Sequence, residues 1–424
     1  MKRKILFCVL LSMICLVAKS QSGTNSPYSQ YGLGILSDQA LGYSRGMGGL
    51  SLGVRGSSMA NMLNPASYSA ADSLTMIFDL GLSGQITNFE ENGTKVNANN
   101  ADFEYAVALF RIMPKMGLSA GVMPYTNIGY SYSQTERIGT ELTTTKVNKG
   151  SGGVHQAYVG LGWNFYKGLS LGANLSYLWG TYDRSISTTN NDAYINTMLK
   201  TYSATINSYK LDLGLQWQFN LKNKDQIVLG MTYGHGHKLG ADPMVKTTYT
   251  NSQTGVTQDT TFTANNSLSI PESYGLGFVW KRTGKFMLGV DYTLQKWGDC
   301  EYPDVNSITG EYEKRSGLLC DRSKVIVGGE WIPNAYTGKF LERIHYRMGV
   351  SYATPYIKVN GQDGPKEYSV SMGFGIPMIK SRSMFNLSAQ WVHSSAKDLI
   401  TENMFRVNVG LTFSEGWFMK WKVQ

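Results

Sequence analysis

Two arginines, Arg45 and Arg55, stand in a stretch from Gln21 to Ala70 whose only other charged residue is Asp38. A guanidinium held in a protein interior needs an acceptor, and a carboxylate is the strongest one. Asp79, Glu104, Asp212, Asp291 and Glu330 lie between apolar positions of later segments, and Arg347 shares that pattern. The chemistry this supports is an ionic latch holding the early segment in place. A second reading lets one arginine also receive an anionic headgroup.

The other reactive residues point to little chemistry. His235-Gly236-His237 places two imidazoles on one side of a strand, but no cysteine or third histidine lies nearby, so no metal site is expected. His155, His345 and His393 are scattered, and no serine, histidine and acid grouping forms a motif. No catalytic residue, cofactor or enzymatic activity is expected. Cys300 and Cys320, separated by a loop-like stretch, suggest one disulfide in an exported chain; two free thiols are the alternative.

The elements that must position these residues follow from composition and period. Among the 424 residues Tyr (26), Gly (47) and Trp (9) are abundant, while Cys (4) and Pro (11) are scarce. Beyond the N-terminus no apolar run approaches the length of a membrane helix. Lys2, Arg3 and Lys4, the apolar Ile5 to Val17 and the small-residue site Ala18-Lys19-Ser20 read as a signal peptide over 1–20. Its removal lowers the formal charge from +9 to +5, which is no argument for a nucleic-acid partner.

From residue 73 a period of two takes over. Leu74, Met76, Phe78, Leu80 and Leu82 are the first apolar face. Comparable faces recur thirteen more times, the last being Phe405, Val407, Val409, Leu411 and Phe413. The charges fall on the opposite faces. A charge on a lipid face would cost about 2–4 kcal/mol at mid-membrane. Aromatic residues cluster toward run ends, as interfacial girdles require. Short connections, such as 111–115 and 166–168, alternate with long ones at 88–101, 133–153, 181–201, 234–271 and 295–322. The expected fold is all-β: a 14-stranded antiparallel transmembrane β-barrel over 73–413, in the outer membrane of a Gram-negative bacterium.

Residues 21–72 lack either period. Gly46-Met-Gly-Gly-Leu through Tyr68 is apolar enough to want burial and too glycine-rich to hold a helix, each glycine costing roughly 1 kcal/mol relative to alanine. Such a segment needs an external support, and a barrel of fourteen strands has a lumen wide enough to need closing. The N-terminal segment is therefore expected as a hatch, or plug, in the lumen. Residues 414–424 form an aromatic and basic tail, expected at the inner membrane surface or against a periplasmic partner.

Asn64-Pro65-Ala66 shortly before the first strand, the glycine-rich stretch upstream and the fourteen runs after it resemble the FadL/TodX family of outer-membrane transporters for hydrophobic compounds. The start Ser26-Pro-Tyr-Ser-Gln-Tyr-Gly32 marks a divergent branch. The resemblance implies passive uptake of hydrophobic or amphipathic, fatty-acid-like molecules by a monomer, past a hatch and out sideways through a gap at an inward kink of the third strand. Met123-Pro124-Tyr125 interrupts the third run, since proline removes a ladder donor; a simple bulge is the alternative. Membrane lipids and a hydrophobic ligand are the implied partners. The rival function is a non-transporting barrel that docks partners in an outer-membrane secretion or assembly complex.

Overall fold

The computed structural model describes residues 23–416, apart from 74, 140, 193, 222–223, 307–310 and 379–381. The leader at 1–20, Leu74 and the end of the tail from 417 lie outside the described residues.

Alternating side chains build fourteen strands among the described residues. They are β1 Thr75–Glu91, β2 Thr94–Met113, β3 Met116–Ile138, β4 Leu142–Tyr166, β5 Leu169–Asn190, β6 Thr197–Asn220 and β7 Asp225–Gly234. The second half comprises β8 Ser273–Arg282, β9 Phe286–Gln295, β10 Arg322–Trp331, β11 His345–Ala353, β12 Lys366–Pro377, β13 Met384–Ser395 and β14 Thr401–Gly416. Each pairs antiparallel with the next. The ring closes where β14 pairs with β1, from Thr75↔Gly416 to Glu90↔Thr401. Closure leaves no free edge within the membrane, which lipid requires because it cannot satisfy backbone groups.

Burial is inverted relative to a soluble protein. Leu82, Val159, Leu175, Leu276, Met348 and Met372 are exposed, whereas Asp79, Glu104, Asn174, Gln216, Asp291 and Glu330 are buried. Only a surrounding of lipid makes that arrangement favourable. Two aromatic rings bound the apolar belt. Trp163 with Phe165, Trp217 with Phe219, Trp280 with Phe286 and Trp331 with Tyr346 mark the end with short turns. Tyr177 with Trp179, Tyr233 with Tyr274 and Tyr352 with Tyr368 mark the other.

Three expectations need correction. The connections expected at 88–101, 133–153 and 181–201 are largely strand, because β3 to β6 run 23, 25, 22 and 24 residues. About 9–11 residues span a bilayer, so these hairpins stand well outside it. The first turns at Asn92-Gly93, both with positive φ, the dipeptide that favours tight hairpins. The hairpin Met244–Thr250 and Thr257–Thr263 then extends the same sheet beside β6. Second, the barrel does not end at Phe413: Ser414 to Gly416 continue β14 opposite Ile77 to Thr75. Third, Cys300 and Cys320 are free thiols. The Cys320 Sγ donates to the carbonyls of Pro355 (3.4 Å) and Ile357 (3.6 Å), whereas the Cys300 Sγ reaches that of Lys296. Burial pushes the Cys320 thiol up to about 11, away from reactive thiolate.

Candidate functional site

Residues 23–72 meet the inner wall almost all the way round. Gly42 lies against Gly410 of β14 and Gly46 against Gly373 of β12. Met47 packs on Gly328 and Gly349 of β10 and β11, and Leu52 with Gly53 on Gly230 and Gly277 of β7 and β8. Pro65 fills the space beside Gly172 and Gly214, and Tyr68 that beside Gly117 and Gly160. A segment touching strands on every side of a closed ring lies within it. The strand glycines give its backbone room, because a Cβ at Gly349 or Gly172 would overlap the backbone of Met47 or Pro65.

Arg45 meets Glu104, with Nη2 2.8 Å from Oε2 and both side chains buried. Its other hydrogens go to Asn408 Oδ1 and to the carbonyls of Asp38 and Ala40. Ser83 also donates to Glu104. Arg55 departs from the expectation: among the described residues no carboxylate meets it. Its guanidinium donates to Ser170 Oγ (2.9 Å), Ser69 Oγ (2.9 Å), the Ala66 carbonyl (3.2 Å) and Gln216 Oε1 (3.4 Å). Neutral oxygens replace an ion pair because the strands at this height present serine and glutamine.

The remaining acids hold the segment in other ways. Asp291 accepts the backbone N–H groups of Ser51 (2.6 Å) and Leu52 (2.8 Å). Glu330 pairs with Arg347 (2.8 Å) and accepts from the Tyr43 hydroxyl (2.9 Å), while the Arg347 guanidinium lies 4.1 Å from the Tyr43 ring centre. Asp79 accepts from the Tyr105 hydroxyl, which itself accepts the Gly42 N–H at 2.6 Å. Asp212 is held by Lys210 beside a cavity of about 170 Å³ above the segment.

Asn64-Pro65-Ala66 opens the two-turn 3₁₀ helix Pro65–Ala70. Asn64 is fully buried: its Oδ1 caps the Ala66 N–H, and its Nδ2 donates to the carbonyls of Leu52 (2.8 Å) and Leu215 (3.2 Å). Neutral amides on inward strand positions complete the seat. Asn174 bridges the Tyr68 hydroxyl and the Met62 carbonyl, and Gln216 donates to the carbonyls of Leu52 and Val54. Reading charges alone misses these residues, although their inward alternation with glycine is present in the sequence.

The second feature is a seam. β2 and β3 pair only from Met113↔Met116 to Ala106↔Val122. Beyond that the register of β3 against β4 shifts between Pro124 and Thr126, at the level of the outer aromatic ring. From Met123 to Tyr130 nearly every β3 residue is buried, so this stretch is covered on both sides while it stays paired to β4 and parts from β2. Residues 23–37 occupy the space it leaves. Ile35 and Leu36 pair with Asn127 and Thr126, and Ser29 Oγ donates to the Gly129 carbonyl while accepting its N–H. On the β2 side Asn25 donates to Asn100 at 3.1 Å. A cavity of about 720 Å³ lies at the outer mouth of the seam, with Tyr28, Tyr31, Phe89, Val96, Tyr132 and Ile400 among its walls.

Outer loops hold this strap from above. Tyr302 and Arg184 donate to the Gly32 carbonyl, at 2.8 and 3.2 Å, and Tyr356 to that of Gly34. His237 stacks on Tyr209, 4.1 Å between ring centres, and on His235. Among the described residues no group of three or more His, Cys, Asp or Glu is placed to hold a metal ion.

The BamG family model matches residues 1–424. No curated protein sequence matches. The fold is similar to that of the CymD monoaromatic hydrocarbon channel, with a TM-score of 0.58, 16% identity, and coverage of 92% of this chain and 100% of that one. It is similar to the Pseudomonas putida toluene transporter TodX, with a TM-score of 0.61, 17% identity, and coverage of 91% and 99%. It is also similar to a Pseudomonas aeruginosa FadL homologue, with a TM-score of 0.57, 14% identity, and coverage of 91% and 98%. At these identities the likeness is one of fold.

Proposed function

This chain belongs to the BamG family, and from the geometry of its lumen and seam we propose that it is an outer-membrane channel for passive uptake of hydrophobic or amphipathic small molecules. Residues 23–72 serve as its hatch, and the seam between β2 and β3 is its lateral path. One observation carries the reading: β2 and β3 separate above Ala106↔Val122, and at the outer mouth of that seam lies a cavity of about 720 Å³ walled in part by aromatic and aliphatic side chains, where a ligand would enter before passing down the seam. That volume suits a drug-sized or acyl-chain ligand. The solved barrels with this fold include a toluene transporter and a monoaromatic hydrocarbon channel, which supports a ligand of that class.

Arg45–Glu104, Asp291 and Asn64 seat the hatch, and the Ser29 and Ile35–Leu36 contacts close the seam at rest. A ligand that displaced the strap from Gly129 and Thr126 would open a path past Tyr130 without covalent chemistry. The test is influx of toluene and of oleate into proteoliposomes holding the mature chain. Influx faster than in protein-free liposomes is expected, and rates equal to those of protein-free liposomes for both compounds overturn the proposal.

One observation favours the rival reading, a docking subunit. The outer sheet ends in Thr257–Thr263, whose residues are all exposed and which pairs on one side only among the described residues. Stoichiometric co-purification of a protein, lost when 244–263 is replaced by a short turn, would support docking.

A further inference from the structure

The short-turn end of the barrel is one-sidedly basic. Arg111, Lys115, Lys167, Lys224, Lys285 and Arg343 lie in or beside five of the six turns there, and among the described residues none has a carboxylate partner. Arg382 in the sixth turn is paired with Asp72, and Arg282 and Lys339 are paired with Asp225 and Glu342. Among the described residues Glu415 is a rim carboxylate with no cation within ion-pair distance. Local pairing therefore leaves most of the positive charge uncompensated around the circumference.

The longest of these turns, between β10 and β11, adds an apolar element. Tyr336, Phe340 and Leu341 are 89%, 52% and 66% exposed. The turn is not loose. Asn334 N–H donates to the Glu342 carbonyl, Ile332 N–H to that of Lys285, and the Tyr346 hydroxyl to that of Leu341. The last bond ties the turn to the lower aromatic ring, where Tyr346 stacks near Trp331 and Phe374. Phe340 and Leu341 thus continue the lipid-facing belt past its edge, with Lys339 and Arg343 on either side.

We propose that this rim is a binding surface for anionic phospholipid of the leaflet it faces. The cations engage headgroup phosphates, and Tyr336, Phe340 and Leu341 insert at the boundary between headgroups and acyl chains. Aromatic residues with snorkelling cations suit that layer. Each cation near an anionic surface adds to the attraction. Continuity with the belt commits the occupant to lipid, because a protein bound on the rim would leave Phe340 and Leu341 facing acyl chains.

The test uses the full mature chain in vesicles of phosphatidylcholine with a minority of phosphatidylglycerol, extracted in polymer nanodiscs that retain neighbouring lipid. The wild type is expected to carry phosphatidylglycerol enriched roughly threefold over the vesicle average. Replacing Lys115, Lys167, Lys224, Lys285 and Arg343 together by Gln should return the ratio to that average, whereas changing the four lysines to Arg should keep the enrichment. Phe340→Ser with Leu341→Ser should weaken it with every charge in place. Heat-modifiable gel mobility checks that each variant forms the barrel. A wild-type ratio equal to the vesicle average, or enrichment that survives the Gln changes, overturns the proposal. So does loss of an acidic protein from native-membrane preparations of the Gln variant while its lipid ratio stays unchanged.

Discussion

Arg45→Ala probes the seating of the N-terminal segment most directly. The wild-type guanidinium makes four hydrogen bonds, one of them to Glu104 at 2.8 Å. The two side chains are 2% and 6% exposed. Truncation leaves Glu104 buried, with Ser83 as its remaining side-chain donor. Breaking a buried pair by removing one partner costs about 3–5 kcal/mol, and each 1.4 kcal/mol is a factor of ten. The ratio of seated to unseated segment should therefore fall roughly 10²- to 10⁴-fold. The loss falls on seating because the strand ladders do not use Arg45, so the barrel should still show heat-modifiable mobility. Planar-bilayer conductance and vancomycin entry into cells should rise. Arg45→Met with Glu104→Met removes both charges and should regain most of the seal, since apolar replacement of a buried pair is often neutral. A folded single variant as tight as wild type would refute the latch, as would a double variant as leaky as the single.

Three further outcomes follow from the geometry. Gly349→Val should displace the segment at Met47 and raise the same permeability, whereas Gly84→Val, with nothing near its added carbon, should leave it unchanged. Asn64→Leu removes the donor to the carbonyls of Leu52 and Leu215. At about 1–3 kcal/mol for a buried group left without a partner, protease should cut the 40–70 stretch faster in the variant. Mobility in denaturing gels should not depend on reductant, because Cys300 and Cys320 are free. The Cys320 thiol, raised to about 11 by burial, is protonated below that pH. Its alkylation should be slow at pH 8 and quicken about tenfold per pH unit until the pH reaches that value.

What the chain settles locally was readable without a fold. A period of two, with charges confined to one side, specifies strand and lipid face residue by residue, because each side chain meets lipid or lumen on its own account. Fourteen strands and their directions follow from that rule. Asn92-Gly93 is a hairpin dipeptide, but the expectation of a long connection over 88–101 passed over it. The polar strands around it lack a greasy face because they stand outside the bilayer, so alternation of apolar residues fails to reveal them.

The lumen was decided only by the closed ring. Whether Arg45 finds Glu104, and Arg55 finds only serine and amide oxygens, depends on which distant strands reach the same height. That height is set by strand tilt and stagger around the barrel. The inward glycines acquire their purpose from a backbone that lies against them from between 49 residues (Gly117 and Tyr68) and 368 residues (Gly410 and Gly42) away in the chain. Pro124 stands at the register shift of β3 against β4, but the capture of β3 by residues 29–36 exists because β2 and β3 part company. Likewise, Cys300 and Cys320 share a loop in sequence yet face different carbonyls in space. Local chemistry chose the strands and faces, and closure of the sheet chose every partner inside it.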